Sequence, residues 1–448
     1  MAADSTTADV TALTRGSVRD YLGRMGPSWV AGAIAAGPAT MASLLTAGAT
    51  FGYALLWVVV LSALAGALTQ YLAMRLGLLT ESGIVSAVEA HLGEGWAWVL
   101  VVDAVLAAGL AQLVIMKTVA DVSATVTGVD ARIWGVAWAA ILALGLAGRG
   151  YRFIELLAKL LVTAVVVAFL ASLAVVPVDL GAAAGGLVPT LPGGLDSALV
   201  AAGVLGGAVH ITLITMHSYT MRARGWTSRD YGLATFDVGA SMLVAFGVYS
   251  LAIFLVAAGV LHSADVNAAE LTAISASQAL GPLVGPAAQW LFLLGLWGAA
   301  VSTLGGNTIV PPYLVADKLG WGTDVSDSRY RGLLAFVALI SAAGAFIGGA
   351  FFPLLVLVLA FGLVGTPFAL LVVLYLLNSD AVPERPAWAA NLGGLAIAVI
   401  AAVLAGNFVR GQVASGFDAL TLFVVAFAAV LALAMVGLVG KYVLERSA

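Results

Sequence analysis

Residues 25–74 read MGPSWVAGAIAAGPATMASLLTAGATFGYALLWVVVLSALAGALTQYLAM, without one Asp, Glu, Lys or Arg. A bilayer crossing takes about 20 apolar residues, so this stretch holds two. Equally charge-free stretches lie between Glu270 and Asp317 and between Arg331 and Asp380. Across the 448 residues, 62% are hydrophobic and 9% charged, against about a quarter charged in soluble domains. Too little polar surface exists for a soluble enzyme, a nucleic-acid binder or a secreted disulfide scaffold. The apolar runs are continuous rather than alternating, which excludes a membrane β-barrel. The chain reads as an all-α polytopic membrane protein, with the lipid bilayer as its first partner and no nucleic acid.

Runs bounded by charges or Pro/Gly/Asp clusters predict twelve helices. They lie near 27–47, 54–78, 95–121, 133–148, 153–176, 197–222, 232–260, 283–316, 331–350, 353–377, 387–409 and 419–440. With a cytoplasmic N-terminus, the inner side receives fifteen Lys/Arg: Arg15, Arg19, Arg24, Arg75, Arg149, Arg152, Arg222, Arg224, Arg229, Lys318, Arg329, Arg331, Arg385, Lys441 and Arg446. The outer side receives Arg132 and Arg410 alone. The positive-inside bias thus places both termini in the cytoplasm and the chain in the plasma (inner) membrane. The first twenty residues are polar and lack the apolar core of a cleavable signal, so the first helix is expected to direct insertion. The chain has no cysteine, which removes thiolate metal sites and thiol nucleophiles. No phosphate-cradling motif occurs, so the expectation is a secondary or passive transporter rather than an ATP-driven pump or an enzyme, with no cofactor. A non-transporting receptor or scaffold on the same helices is the rival class.

Helices one and six carry breaks at corresponding places. The first has Gly37-Pro38-Ala39-Thr40; the sixth has Gly203, Gly206 and Gly207 before His210 and Thr212. Interrupted helices in matching positions of two halves point to a transporter's substrate site. Glycine also serves plain helix packing in membranes, and either reading fits each break singly.

The first helix region, with Gly26-Pro27-Ser28-Trp29, Ala36 to Ser43, Ala47 to Tyr53, Leu55 to Val58 and Arg75-Leu76-Gly77, resembles the Nramp family of proton-coupled divalent-metal transporters. Gly150 to Glu155 resembles the start of that family's fifth helix, Ser302-Thr303 to Asn307 its eighth and Pro367-Phe368-Ala369 its tenth. The likeness is collinear from about residue 24 to 378. It implies the leucine-transporter architecture, two inverted five-helix repeats around a midplane site. The organisation expected is a cytoplasmic tail 1–24, a core 25–378 with repeats 25–178 and 195–378, and two peripheral helices with a short cytoplasmic end in 379–448.

The family's metal-binding motifs are altered. Its Asp-Pro-Gly-Asn falls on Gly37, Pro38, Ala39 and Thr40, and its Met-Pro-His on His210, Ile211 and Thr212. Its helix-three acidic pair, implicated in proton movement, falls on Gly109 and Gln112, and its helix-ten glutamine near Leu359. With Gly207, the resemblance implies a substrate site of Gly37, Pro38, Ala39, Thr40, Gly207, His210 and Thr212. His210 is the sole metal-ligand candidate in it. Gly109, Gln112, His217 and Asp237 are the gating or proton-route candidates. A divalent ion needs ligands whose charge offsets its lost hydration. The neutral set therefore predicts a small polar or zwitterionic solute. The alternative is a divalent cation, hydrated magnesium ahead of manganese or iron, and the oligomeric state stays open, a monomer sufficing. Lys117–Asp121 and Glu155–Lys159, spaced i,i+4, read as structural pairs. Asp103 lies fourteen residues from Lys117, about 21 Å along a helix, too far to pair with it.

Overall fold

A computed structural model of the protein describes Tyr21, Arg24 and residues 26–147, 151–262 and 271–447. The expected tail 1–24 falls almost wholly outside these residues, as does Arg149, and the Glu155 side chain of the Glu155–Lys159 pair is likewise outside what is described. Every crossing is helical. We label the helices α1 Pro27–Ala35, α2 Pro38–Phe51, α3 Leu56–Thr80, α4 Glu94–Thr127, α5 Ala131–Ala147, α6 Tyr151–Ser172, α7 Leu195–Val209 and α8 Ile211–Ala223. They continue as α9 Tyr231–Val238, α10 Gly247–Val260, α11 Ala288–Thr308, α12 Ser328–Ile340, α13 Phe351–Leu377, α14 Trp388–Ser415 and α15 Ala419–Ser447.

Among the described residues, nine stretches are long and apolar enough to cross a membrane. One of them, Pro38–Thr80, turns back at Gly52, whose φ of +53° only glycine adopts freely. Ala131–Leu146 and Lys159–Ser172 are shorter apolar helices. Counting the turned stretch twice gives the twelve crossings.

Burial orders the bundle. In the apolar windows of Leu195–Ala223 and Phe351–Leu377, 94% and 89% of residues are enclosed. For Ala419–Glu445 the share is 22%. α7–α8 and α13 therefore run through the centre, and α15 lies at the periphery, facing lipid.

The two expected breaks form for different local reasons. Proline lacks the N–H that would continue a helix and restricts the residue before it. Accordingly α1 stops at Ala35, Gly37 is extended (φ −71°, ψ −178°) and Pro38 begins α2. The sixth span breaks at a single residue, His210, with φ −55° and ψ 138°. This corrects the sequence reading, which located the break in the glycine cluster. Gly203, Gly206 and Gly207 are helical and lie against neighbouring backbone or side chains. A Cβ on Gly206 would overlap the carbonyl of Leu359, and one on Gly207 the Thr40 hydroxyl. They are contact points for α13 and α2. The helix yields instead where an imidazole can cap the half-helix that follows.

Between α9 and α10 the seventh span passes through a π-helix, Gly239–Phe246, lying against α1. Such turns are rare and concentrate at functional sites.

Candidate functional site

The ends of α1, α2, α7 and α8 meet around a cavity of about 40 Å³. Gly37, Pro38, Ala39, Thr40, Gly207, His210 and Thr212, all expected from sequence, line it. Thr303 and Asn307 of α11 complete its polar wall, and Leu359 of α13 lies on it as well.

Thr40 lies in the first turn of α2, whose N-cap is Gly37. Its hydroxyl reaches back across the break and donates to the Ala35 carbonyl. The bond fastens α2 to α1 and satisfies one of the carbonyls that a helix end leaves open.

His210 is 4% exposed. Its Nδ1 lies 2.9 Å from the Thr212 hydroxyl and accepts the Thr212 backbone N–H at 3.4 Å. Its Nε2 has no partner, and the ring lies flush against Gly362 of α13, where a Cβ would collide with it. The Thr303 hydroxyl is likewise buried without a partner, and a Cβ on Gly37 would come within 2.6 Å of it. Two lining residues of one small cavity thus each carry an unpartnered polar atom, where buried polar groups are nearly always satisfied.

Gln112 stands behind this wall. Its amide donates to the Thr308 hydroxyl at 2.6 Å, and its oxygen accepts from Asn307 at 3.0 Å. Asn307 also donates to the Ala108 carbonyl at 2.8 Å. The network orients Asn307 toward the cavity. Gly109 belongs elsewhere: nothing lies within 4 Å of where its Cβ would be, and it takes no part in the lining.

His217 and Asp237 lie together at the start of α1, away from the cavity. The Asp237 carboxylate accepts the backbone N–H of Gly26 at 3.2 Å and of Ser28 at 2.8 Å. These are among the N–H groups a helix start leaves unpaired, and a carboxylate there also meets the positive end of the helix dipole. The Ser28 hydroxyl is 3.3 Å from His217 Nε2, and His217 Nδ1 is 2.8 Å from the Leu213 carbonyl. α9 and α8 thus both grip the first turn of α1. Outside that pair, Arg24 bonds Asp230 at 3.2 Å.

Sequence reasoning missed Thr303 as a lining residue. Its signal was available: a hydroxyl one position past Ser302 in a charge-free helix already noted for its likeness. Ser43, one turn beyond Ala39 on α2, donates its hydroxyl to the Ala39 carbonyl at 2.9 Å. Among the described residues, no group of three His, Cys, Asp or Glu could hold a metal ion.

Residues 28–410 match the family described as Nramp, natural resistance-associated macrophage protein-like. The divalent metal cation transporter MntH of Deinococcus radiodurans is 31% identical over 319 residues, covering 68% of this chain and 72% of the relative. MntH of Yersinia pestis is 32% identical over 306 residues, covering 65% and 73%. Among solved structures, the manganese transporter of Eremococcus coleocola superposes with a TM-score of 0.73 at 16% identity, over 99% of this chain and 97% of that one. MhsT, solved in complex with L-phenylalanine, gives 0.53 at 16% identity, over 85% and 97%. Its broken first and sixth spans, their shared cavity and these matches together make the chain a member of the Nramp family, a multi-spanning secondary transporter of the leucine-transporter fold that works by alternating access.

Proposed function

We propose that this transporter moves divalent metal cations through the cavity between α1–α2 and α7–α8. We also place it in the inner membrane with both termini cytoplasmic, on the Lys/Arg bias. The observation that carries the substrate reading is the size and lining of the cavity. About 40 Å³ admits an ion with one or two waters, whereas pockets for organic ligands run to several hundred Å³. Around it stand the hydroxyls of Thr40 and Thr303, the Asn307 side chain and the His210 imidazole. The C-terminal ends of α1 and α7 lie at the same breaks, each carrying about half a negative charge. That field replaces part of what the missing carboxylates would supply. The names of the MntH relatives and of the manganese transporter support the same class.

A carboxylate-free site binds weakly. The expected dissociation constant is about 10⁻⁴–10⁻³ M, the range of charge-poor oxygen sites. Magnesium, which keeps part of its water, should approach manganese in affinity.

A second reading, a small zwitterionic or carboxylate solute, is favoured by the His210 tautomer. If Nδ1 accepts from the Thr212 N–H, the neutral ring carries its proton on Nε2 and offers a donor to an anion. A metal at Nε2 would require the other tautomer, with Nδ1–H donating to the Thr212 hydroxyl and the cap to the Thr212 N–H given up. Calorimetric titration with manganese, magnesium and a panel of amino and carboxylic acids separates the two. The expected result is divalent-ion binding weakened about tenfold or more by His210→Ala, with matching loss of uptake into proteoliposomes. Binding of an organic acid with silence toward both metals would replace the first reading by the second.

A further inference from the structure

Asp103 belongs to no function described so far. It lies nine residues past Glu94, about 13 Å along α4, and is 1% exposed. Neither carboxylate oxygen has a hydrogen-bond partner. The other charges deep in the same helix, Lys117 and Asp121, pair with each other at 2.9 Å. Nine residues also separate Asp103 from Gln112, which puts the two on opposite faces of the helix. Gln112 supports the substrate cavity; Asp103 looks the other way.

On one side the carboxylate rests on the backbone of α13, where a Cβ at Gly365 would collide with both oxygens. On the other side α4 and α15 enclose a groove of about 400 Å³. Its remaining walls are apolar, Trp98, Val102, Phe423, Phe427 and Val430 among them. No other titratable or charged side chain lines it. His210, at the start of α8, rests against Gly362, one turn before Gly365 on α13, and is the titratable side chain nearest along that helix; Tyr375 of α13 is ten residues beyond Gly365 and bonds Glu445. On α15, Lys441 and Glu445 pair with each other near its far end.

A lone ionised carboxylate inside a membrane is costly and marks function by default. The surroundings restrict its partner. A metal ion needs several oxygen ligands, and the groove supplies none besides Asp103. An organic cation would have to touch oxygens that protein atoms cover. A proton needs no space and removes the stranded charge. We propose that Asp103 is a proton-binding site of the transporter, outside the lining of the substrate cavity and beside the groove between α4 and α15. Only its coupling to uptake rests on the transport reading above.

The test is labelling of the reconstituted full chain with dicyclohexylcarbodiimide, a hydrophobic reagent specific for protonated carboxyls. The carboxyl adds across a C=N bond, its oxygen to carbon and its proton to nitrogen, and the acyl group then migrates to nitrogen as a stable N-acylurea. Peptide mass spectrometry is expected to find the adduct on Asp103, with a labelling rate that falls as pH rises. Asp103→Asn should abolish that adduct, and Asp103→Glu should retain it, which guards against a variant that fails to fold. Absence of label on Asp103, or labelling indifferent to pH, overturns the proposal. Failure of the wild type to take up any divalent ion counts against the transport reading alone and leaves the labelling result to stand or fall separately.

Discussion

Asp237→Ala is expected to shift the transporter toward the state in which the first turn of α1 is released, by about 30- to 150-fold. The variant removes the acceptor for two backbone N–H groups, Gly26 and Ser28, at a residue that is 0% exposed. A buried donor left without a partner costs about 1–3 kcal/mol, so the loss of both is worth about 2–3 kcal/mol after some rearrangement. Each 1.4 kcal/mol is about a factor of ten in an equilibrium constant. The penalty falls only on the state that holds α1 against α9, because a released α1 start can meet water. Asp237→Asn keeps one acceptor oxygen and should shift the balance by less. The absence of cysteine makes the measurement clean. A single cysteine at Ala36 or Ser302, both facing a crevice of about 280 Å³ beside α1, is expected to react faster with a polar thiol reagent in the Asp237→Ala background. An unchanged rate in a folded variant would mean that Asp237 merely fills its place.

This latch was half legible in the sequence. An acid near the end of a membrane helix announces itself by charge alone, and Asp237 was singled out on that ground. Its partners are backbone N–H groups 209 and 211 positions away. No residue type encodes such a partner, so the contact could be read only from the fold. The helix count was legible for the opposite reason: span length and Lys/Arg placement are composition effects. The proline break needed nothing but Gly37-Pro38. The break at His210 was read a few residues early, because glycine marks both flexible and closely packed backbone. At Gly203, Gly206 and Gly207 the packing role wins, since α13 and α2 occupy the space where side chains would be. The lining contributed by the two broken spans was legible residue by residue, while Thr303 of α11 was not. Nor was the cavity's volume, on which the cation proposal rests.

Gly207→Ala is the sharpest probe of that packing, with an expected loss of uptake of about 5- to 150-fold. The new methyl group would overlap the Thr40 hydroxyl and lie 3.3 Å from Thr40 Cβ and Cγ2. Thr40 cannot swing aside freely, because its hydroxyl holds the Ala35 carbonyl across the α1–α2 break. Overpacking of this kind costs about 1–3 kcal/mol, and it burdens only conformations in which α2 touches α7. Thr40→Ala alone gives up one hydrogen bond, worth about 1 kcal/mol, and should reduce uptake by no more than about fivefold. The double variant removes the obstacle, so its uptake should return to the level of Thr40→Ala, a strong positive coupling between neighbouring sites. The cycle also decides what the Thr40 hydroxyl does. As a clasp between two half-helices it is dispensable once Gly207 is enlarged, and the double variant recovers. As a ligand of the transported ion it is required in every background. In that case Thr40→Ala would be as defective as Gly207→Ala, and combining them would restore nothing.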